Sequence, residues 1–255
     1  MKILSWNIRG GLKEDAWNHL NILLKHHKHD ITLLVETHLN DENSLTCIKK
    51  FGSSWPGTYV AGDVRAGGIV LVWKNGLMNI QMLYSCSQVI NALVTPIRGS
   101  PWLLSGIYAS NCPKERGCLW KFLSSIDTAD LPWVLIGDFN CIDNQIDKRG
   151  GNQFKWGHSI GYFNELCSSS RLTEVKFQGG RFTWCNNRLG KKRILARLDK
   201  ALVNREWWAK ENISPLEKEL KATKAELDEL EKLDEQGSCS EADIIKMKCL
   251  SNKAI

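Results

Sequence analysis

The sequence has no Cys-x-x-C pair, no apolar run near the ~20 residues that a bilayer span requires, no internal repeat and no low-complexity tract. Each absence removes a class of protein. The nine cysteines are scattered and odd in number, so neither a zinc site nor a disulfide framework is expected, and a reducing compartment fits better. Met1 leads straight into KILSW without an apolar h-region or a small-residue cleavage site. The expectation is therefore a nuclear or cytoplasmic chain with no signal peptide or transmembrane segment. Histidine is also sparse: there are six, and none follows His158.

What is present suits a packed core. The 255 residues are 43% hydrophobic and include eleven Trp, enough for one large domain, or one domain with a helical tail. The formal charge of +6 is unevenly spread. Residues 211–255 carry 7 Lys/Arg against 11 Asp/Glu, which leaves 27 against 17, a net of +10, for residues 1–210. A basic body suits a polyanionic partner, because neutralising phosphates releases counterions. A basic, merely soluble surface accounts for the same charge.

Apolar periodicity alternates between strand and helix types. Strands are expected at 3–6, 31–35, 68–73, 78–84, 90–95, 102–108, 133–136, 182–185 and 197–203. Helices are expected at 12–24, 114–126 (with Pro113 near its first turn) and 157–168. Many strands with few helices argue for two packed sheets flanked by helices. From about residue 211, Ile213, Leu216, Leu220, Leu227 and Leu230 fall at heptad spacing in a Glu/Lys-rich segment. A long amphipathic helix is expected over 211–235; Thr223 and Asp234 interrupt the seam, which favours a helix folded back on the domain, or one left half-ordered, over a coiled coil.

Asn7, Glu36, Asp138 with Asn140, and Asp199 all fall at the expected carboxyl ends of strands. Strand ends on one rim of a sheet converge, so carboxylates distant in sequence can meet there. Mg²⁺ takes oxygen ligands and keeps several waters, so one or two carboxylates plus a substrate phosphate suffice to hold it. It would stabilise the charge that develops in phosphoryl transfer and help activate water. Each residue also has a plainer reading: Glu36 as an ordinary strand end, Asp138–Asn140 as an Asx turn, Asn7 as a turn former before Gly10-Gly11, and Tyr108 as a packing residue. Arg188, Lys191, Lys192, Arg193, Arg197 and Lys200, with Trp184 nearby, read equally as a DNA-backbone grip or as a solvated basic hairpin. His26, His27 and His29 read as a helix carboxyl terminus.

Taken together, SWNIRGG, ETHL, GIVLVW, IYAS, VLIGDFN, GGRFTWCNNR and RLDKALVN stand in the order seen in the endonuclease/exonuclease/phosphatase superfamily. Residues 1–208 most resemble the endonuclease domain of plant LINE-type (non-LTR) retrotransposons, and 209–255 resemble the charged helical linker that precedes a reverse transcriptase. The resemblance implies a four-layer α/β-sandwich, two packed mixed β-sheets flanked by helices, with its site at one rim. It implies Mg²⁺ (or Mn²⁺) on Glu36 with help from Asn7, and a phosphate contact from Tyr108. Asp138 would position or deprotonate water, Asn140 would orient it, and Asp199 would be the partner of a catalytic histidine. DNA is the implied substrate.

Two departures stand out. The family's final strand carries Ser-Asp-His, and no such triplet follows Asp199: NREWWAK passes directly to ENISPLEKEL. An internal deletion of the last strands is the simplest reading. It would leave an exposed sheet edge prone to self-association, and an enzyme weakened or inactive. Arg9 stands where abasic-site endonucleases have an acidic residue. The alternatives to a DNA endonuclease are a non-catalytic nucleic-acid-binding remnant and, further off, a phosphatase or sphingomyelinase acting on small phosphate esters.

Overall fold

The computed structural model describes residues 1–207, except 12, 63–66 and 153–156, together with 229, 230, 240 and 243. The chain divides into two compact units, Met1–Trp207 and Trp208–Ile255. The helix expected over 211–235 lies almost wholly outside the described residues, and the architecture below is that of the first unit.

Continuous apolar runs become strands covered on both faces. β1 (Ile3–Asn7), α1 (Glu14–His27), β2 (Ile31–Val35), α2 (Asp41–Lys49), β3 (Gly57–Val60) and β4 (Ile69–Trp73) form the first half. Their strands make a four-stranded mixed sheet in the order β1-β2-β4-β3. All residues of β2 and β4 are buried. The chain then crosses to a second mixed sheet. Its elements are β5 (Met78–Cys86), β6 (Val89–Pro96), β7 (Trp102–Tyr108), α3 (Pro113–Ser124) and β8 (Trp133–Asp138), followed after β9 (Lys148–Arg149) by α4 (His158–Ser169) and β10 (Thr173–Glu174). β12 (Leu195–Ala196) pairs with β11 (Trp184–Cys185) on one side and β9 on the other as a small separate sheet, and β13 (Asp199–Val203) returns to complete the order β10-β13-β8-β7-β6-β5.

Three apolar clusters define four layers. α1 and α2 pack Trp17, Leu20 and Cys47 on the first sheet. Ile31, Leu33, Val94, Leu104 and Val134 lie between the sheets. α3 and α4 pack Trp120, Phe163 and Leu166 on the second. The expected four-layer α/β arrangement is the one observed. The sheets approach closely at Gly106, where a Cβ would stand 2.6 Å from Leu33 Cδ1.

The local departures from expectation have physical reasons. The expected strand at 182–185 shrinks to β11, and that at 197–203 begins only at Asp199. Arg197 and Leu198 carry the chain from the small sheet to the large one, and the Arg197 N–H donates to Asp147 O. α2 gave little apolar period; it is set by Asn40, whose side chain accepts from the Asn43 N–H at 2.9 Å, and by Asp41 and Glu42 in its first turn. His26 and His27 occupy the last turn of α1 as expected, but His29 lies beyond it, buried beside Trp55, and burial lowers its pKa. Leu12, where the helix expected over 12–24 begins, is outside the described residues.

Candidate active site

The rim is assembled by register. β8 lies between β7 and β13, and Tyr108 and Asp199 are both the register partners of Asp138. Asn204 pins this alignment from the other end: its side-chain oxygen accepts the Trp133 N–H at 2.8 Å, and its Nδ2 donates to Leu131 O at 2.9 Å. Asp199 therefore arrives from the amino end of the antiparallel β13, not from a carboxyl end as the sequence pattern suggested. Gly137 must precede Asp138 because its φ is +140° and a Cβ would meet Ile107 O at 2.0 Å. From the first sheet, Asn7 sits opposite Val35, one residue before Glu36.

Asn7 joins the two sheets. Its Nδ2 donates to Glu36 Oε2 at 2.6 Å and to Asp138 Oδ2 at 3.0 Å, while its Oδ1 accepts the Arg9 N–H at 3.2 Å. The Arg9 bond orients the amide so that its NH₂ faces the carboxylates. The loop behind Glu36 is clamped by Gly10 N–H to Glu36 O (2.9 Å), Gly11 N–H to Thr37 O (2.7 Å) and Thr37 N–H to Gly68 O (3.2 Å). Arg9, Glu36, His38 and Asn140 all adopt positive φ, between 43° and 56°. A left-handed non-glycine residue costs about 1–3 kcal/mol, so the surrounding packing holds this rim against local preference.

Asn140 lies beyond the end of β8, so strand alternation does not bring it to the site; a turn does. Its N–H donates to Asp138 Oδ1 at 2.9 Å, which is an Asx turn, and its Nδ2 donates to Ala109 O at 2.7 Å. The plain reading of GDFN is thus correct as local structure, and the turn is what holds both side chains at the rim.

Crowded carboxylates show in the titration of the site. Burial, then the charge of Asp199, pushes Asp138 up to about 6, with Glu36 adding to the repulsion. Asp199 is also raised, by burial first, while Thr183 and Arg9 pull the other way. Tyr108 is pushed up to about 12 by burial and by Glu36 and Asp138, so its hydroxyl keeps its proton. Concentrated negative charge with oxygen donors fits a hard divalent cation. Among the described residues no three His, Cys, Asp or Glu side chains form a ready-made metal cage. The fit is therefore to a site of one or two carboxylates, completed from outside the protein.

Sequence reasoning missed two residues. His38 Nε2 stands 3.6 Å from Glu36 Oε1, and its position two residues after Glu36 in ETHL was the available signal. Thr183 Oγ1 accepts the Leu198 and Asp199 N–H groups, both at 3.1 Å, and bonds to the Asp199 carboxyl. The basic group divides. Arg188, Lys191, Lys192 and Arg193 are exposed on the β11–β12 hairpin. Arg197 and Lys200 are buried: Arg197 pairs with Glu174 and stacks 3.6 Å over Phe177, and Lys200 Nζ lies 2.7 Å from Asp143 and 3.2 Å from Asp147. Trp184 is half-buried and, with Asn7, Asp138 and Asp199, lines a cleft of about 980 Å³; the four hairpin cations do not line it.

A model of the Endonuclease/Exonuclease/phosphatase family matches residues 4–217. No curated protein matches the chain. Among solved structures, the 3'-5' exonuclease NExo from Neisseria meningitidis is similar at 21% identity and a TM-score of 0.60, covering 80% of this chain and 87% of that one. The AP endonuclease LMAP from Leishmania major gives 17% and 0.63, covering 80% and 79%. D. rerio TDP2, complexed with single strand DNA product, gives 17% and 0.56, covering 80% and 83%. At these identities the likeness is one of fold.

Proposed function

The chain belongs to the endonuclease/exonuclease/phosphatase family, and on that premise we propose that it is a Mg²⁺- or Mn²⁺-dependent, DNA-directed phosphodiesterase of retroelement origin with weakened turnover. The observation that carries the reading is the Asn7 amide bridging Glu36 and Asp138 across the two sheets, with Tyr108 and Asp199 in register beside it. Glu36 would hold the cation, assisted by Asn7 and the Asp138 side of the rim. When bound, the cation supplies charge for the phosphate oxygens and acidifies water.

The protein's own groups would do the rest. Asp138, with its pKa drawn toward neutrality, is suited to accept a proton from water, and Asn140 is fixed by Ala109 O next to it. Tyr108 stays protonated and can donate its O–H to a phosphate oxygen. Asp199 has Thr183 and Arg9 as its neighbours, and residues 159–255 contain no histidine to pair with it. A missing donor at the scissile phosphate typically lowers turnover by ~10²–10⁴-fold. The jump from NREWWAK to ENISPLEKEL supports a retroelement endonuclease that has lost its last strands, and residues 209–255 are read as the linker that once followed. A second reading, DNA binding without catalysis, draws on the exposed Arg188–Arg193 hairpin.

Nicking of supercoiled plasmid by the full chain distinguishes these readings. Slow nicking that requires Mg²⁺ or Mn²⁺ and disappears in Asp138→Ala supports the first. Binding with no nicking in either metal supports the second. A rate unchanged by Asp138→Ala removes the site assignment.

A further inference from the structure

A second cleft, of about 750 Å³, opens between α3 and α4. Pro113 and Lys114 line it at the amino end of α3, and Gly157 and His158 line it at the amino end of α4. Further along, the rings of Trp120 and Phe163 meet at 5.2 Å. The two helices therefore run in the same direction, and their positive ends share one cleft. Gly117 permits the close approach, since a Cβ there would stand 3.1 Å from Tyr162 Cδ2. Among the described residues, the charged side chains of the lining are Lys114, Arg116, Lys121 and His158, with no Asp or Glu. Glu115, the acid in the first turn of α3, accepts the Ser110 hydroxyl at 2.7 Å and stays out of the lining; the first turn of α4 has no acid.

Two buried polar groups in this lining are incomplete. Ser159 is 6% exposed and Arg116 is 9% exposed, yet among the described residues Ser159 Oγ and Arg116 Nε have no hydrogen-bond partner. Arg116 Nη1 donates to Ser110 O at 2.6 Å and Asn111 O at 3.2 Å, which fixes the guanidinium, but the side chain joins no ion pair among the described residues. A buried hydroxyl and a buried guanidinium left in this state cost stability until a ligand completes them. Lys121 Nζ is held 4.1 Å over the Tyr162 ring, and Ile160 and Tyr162 give the cleft an apolar wall. We propose that the cleft binds a phosphate monoester, with its phosphate on Ser159, Arg116 and Lys114 at the amino end of α4 and its organic body against Ile160 and Tyr162. A monoester carries about −1.5 to −2 charge near neutral pH and presents three free oxygens, which suits clustered cations at a helix amino end better than a singly charged diester or carboxylate does. The volume lies within the range of about 300–1,000 Å³ usual for small-molecule sites. No rim residue lines the cleft, so the site stands independently of what the rim hydrolyses.

The test titrates the full chain in chelator with phenyl phosphate by calorimetry, with phenol as the control that lacks the anion. Expected are saturable binding of phenyl phosphate alone, movement of the His158 and Ser159 amide resonances, and a loss of about tenfold with Ser159→Ala and with Lys114→Gln. Ser159→Ala also separates a ligand from a structural role. Removing an unpartnered buried hydroxyl should leave the urea midpoint of the ligand-free chain level or higher, whereas a hydroxyl bonded within the fold would lower it. Lys114 is exposed, so its replacement leaves the fold intact. A thymidine tetranucleotide with a terminal phosphate, beside its unphosphorylated form, identifies the source of the group. Tighter binding of the phosphorylated strand than of phenyl phosphate makes a strand end the ligand, and the reverse order makes it a small ester; either supports the site. Movement of the two resonances by both tetranucleotides alike overturns the monoester assignment. So does the absence of saturable phenyl phosphate binding, or binding unchanged in both variants.

Discussion

Replacing Asp138 with Asn should make the metal-free protein more stable at alkaline pH, although it removes the central carboxylate of the site. Asp138 is 5% exposed, and its pKa is raised from 3.8 to about 6. The folded state thus holds the proton more tightly than the unfolded chain, so stability falls as pH rises from about 4 through about 6, and the whole penalty stands above about 7. A displacement of about two units at ~1.4 kcal/mol each puts that penalty at ~3 kcal/mol. Asn keeps the size of the side chain and can still accept the Asn140 N–H, but it loses the acceptor for Asn7 Nδ2, worth about 1 kcal/mol. Relief of charge wins at pH 8, by ~1–2 kcal/mol, and the two effects cancel near pH ~4.5. Urea unfolding of both proteins in chelator, at pH 8 and near pH 4.5, reads the difference directly. Added Mg²⁺ should raise the midpoint of the parent and leave the variant largely unmoved. A variant less stable than the parent by the same amount at both pH values would refute the argument.

Other expectations follow from single interactions. Gly137→Ala should destabilise by about 3–5 kcal/mol in denaturant melts, because its Cβ would press on the Ile107 carbonyl rather than on a movable side chain. Lys200→Met should cost about 3–5 kcal/mol by the same measurement, since Asp143 and Asp147 lose the buried ammonium between them; adding Asp147→Asn should recover part of it. Changing Arg188, Lys191, Lys192 and Arg193 together to Gln should leave the melting curve in place. It should also weaken DNA binding and flatten the salt dependence of log K by up to ~3–4, about 0.9 for each phosphate that is no longer neutralised.

Residues with one dominant environment were the legible ones. ITLLV and WLLSGIY read as strands because burial on both faces leaves an uninterrupted apolar run, and their observed limits, Ile31–Val35 and Trp102–Tyr108, are those expected. GDFN announced the rim, and Glu36, Asn7, Asp138 and Asn140 do meet there. What pattern alone could not convey was direction and partnership. Asp199 enters from the opposite strand end because β13 is antiparallel, a fact of topology rather than of local sequence. Lys200 and Arg197 looked like members of one basic run, a DNA-backbone grip or a solvated hairpin alike, but acids at 143, 147 and 174, distant in the chain, pair with them. His38 carried no periodic signal beyond its place in ETHL, and the structure sets its Nε2 3.6 Å from Glu36 Oε1.

Equilibrium binding of Mn²⁺ to the full chain, followed by electron paramagnetic resonance, bears most directly on the claim that the rim is a divalent-cation site. One site should be found, weakened about tenfold or more by Glu36→Gln and by Asp138→Asn, and unaffected by Glu165→Gln on the exposed face of α4. Binding that is unchanged in both rim variants, or reduced equally by Glu165→Gln, would contradict the placement of a divalent cation at this rim, on Glu36 beside Asp138.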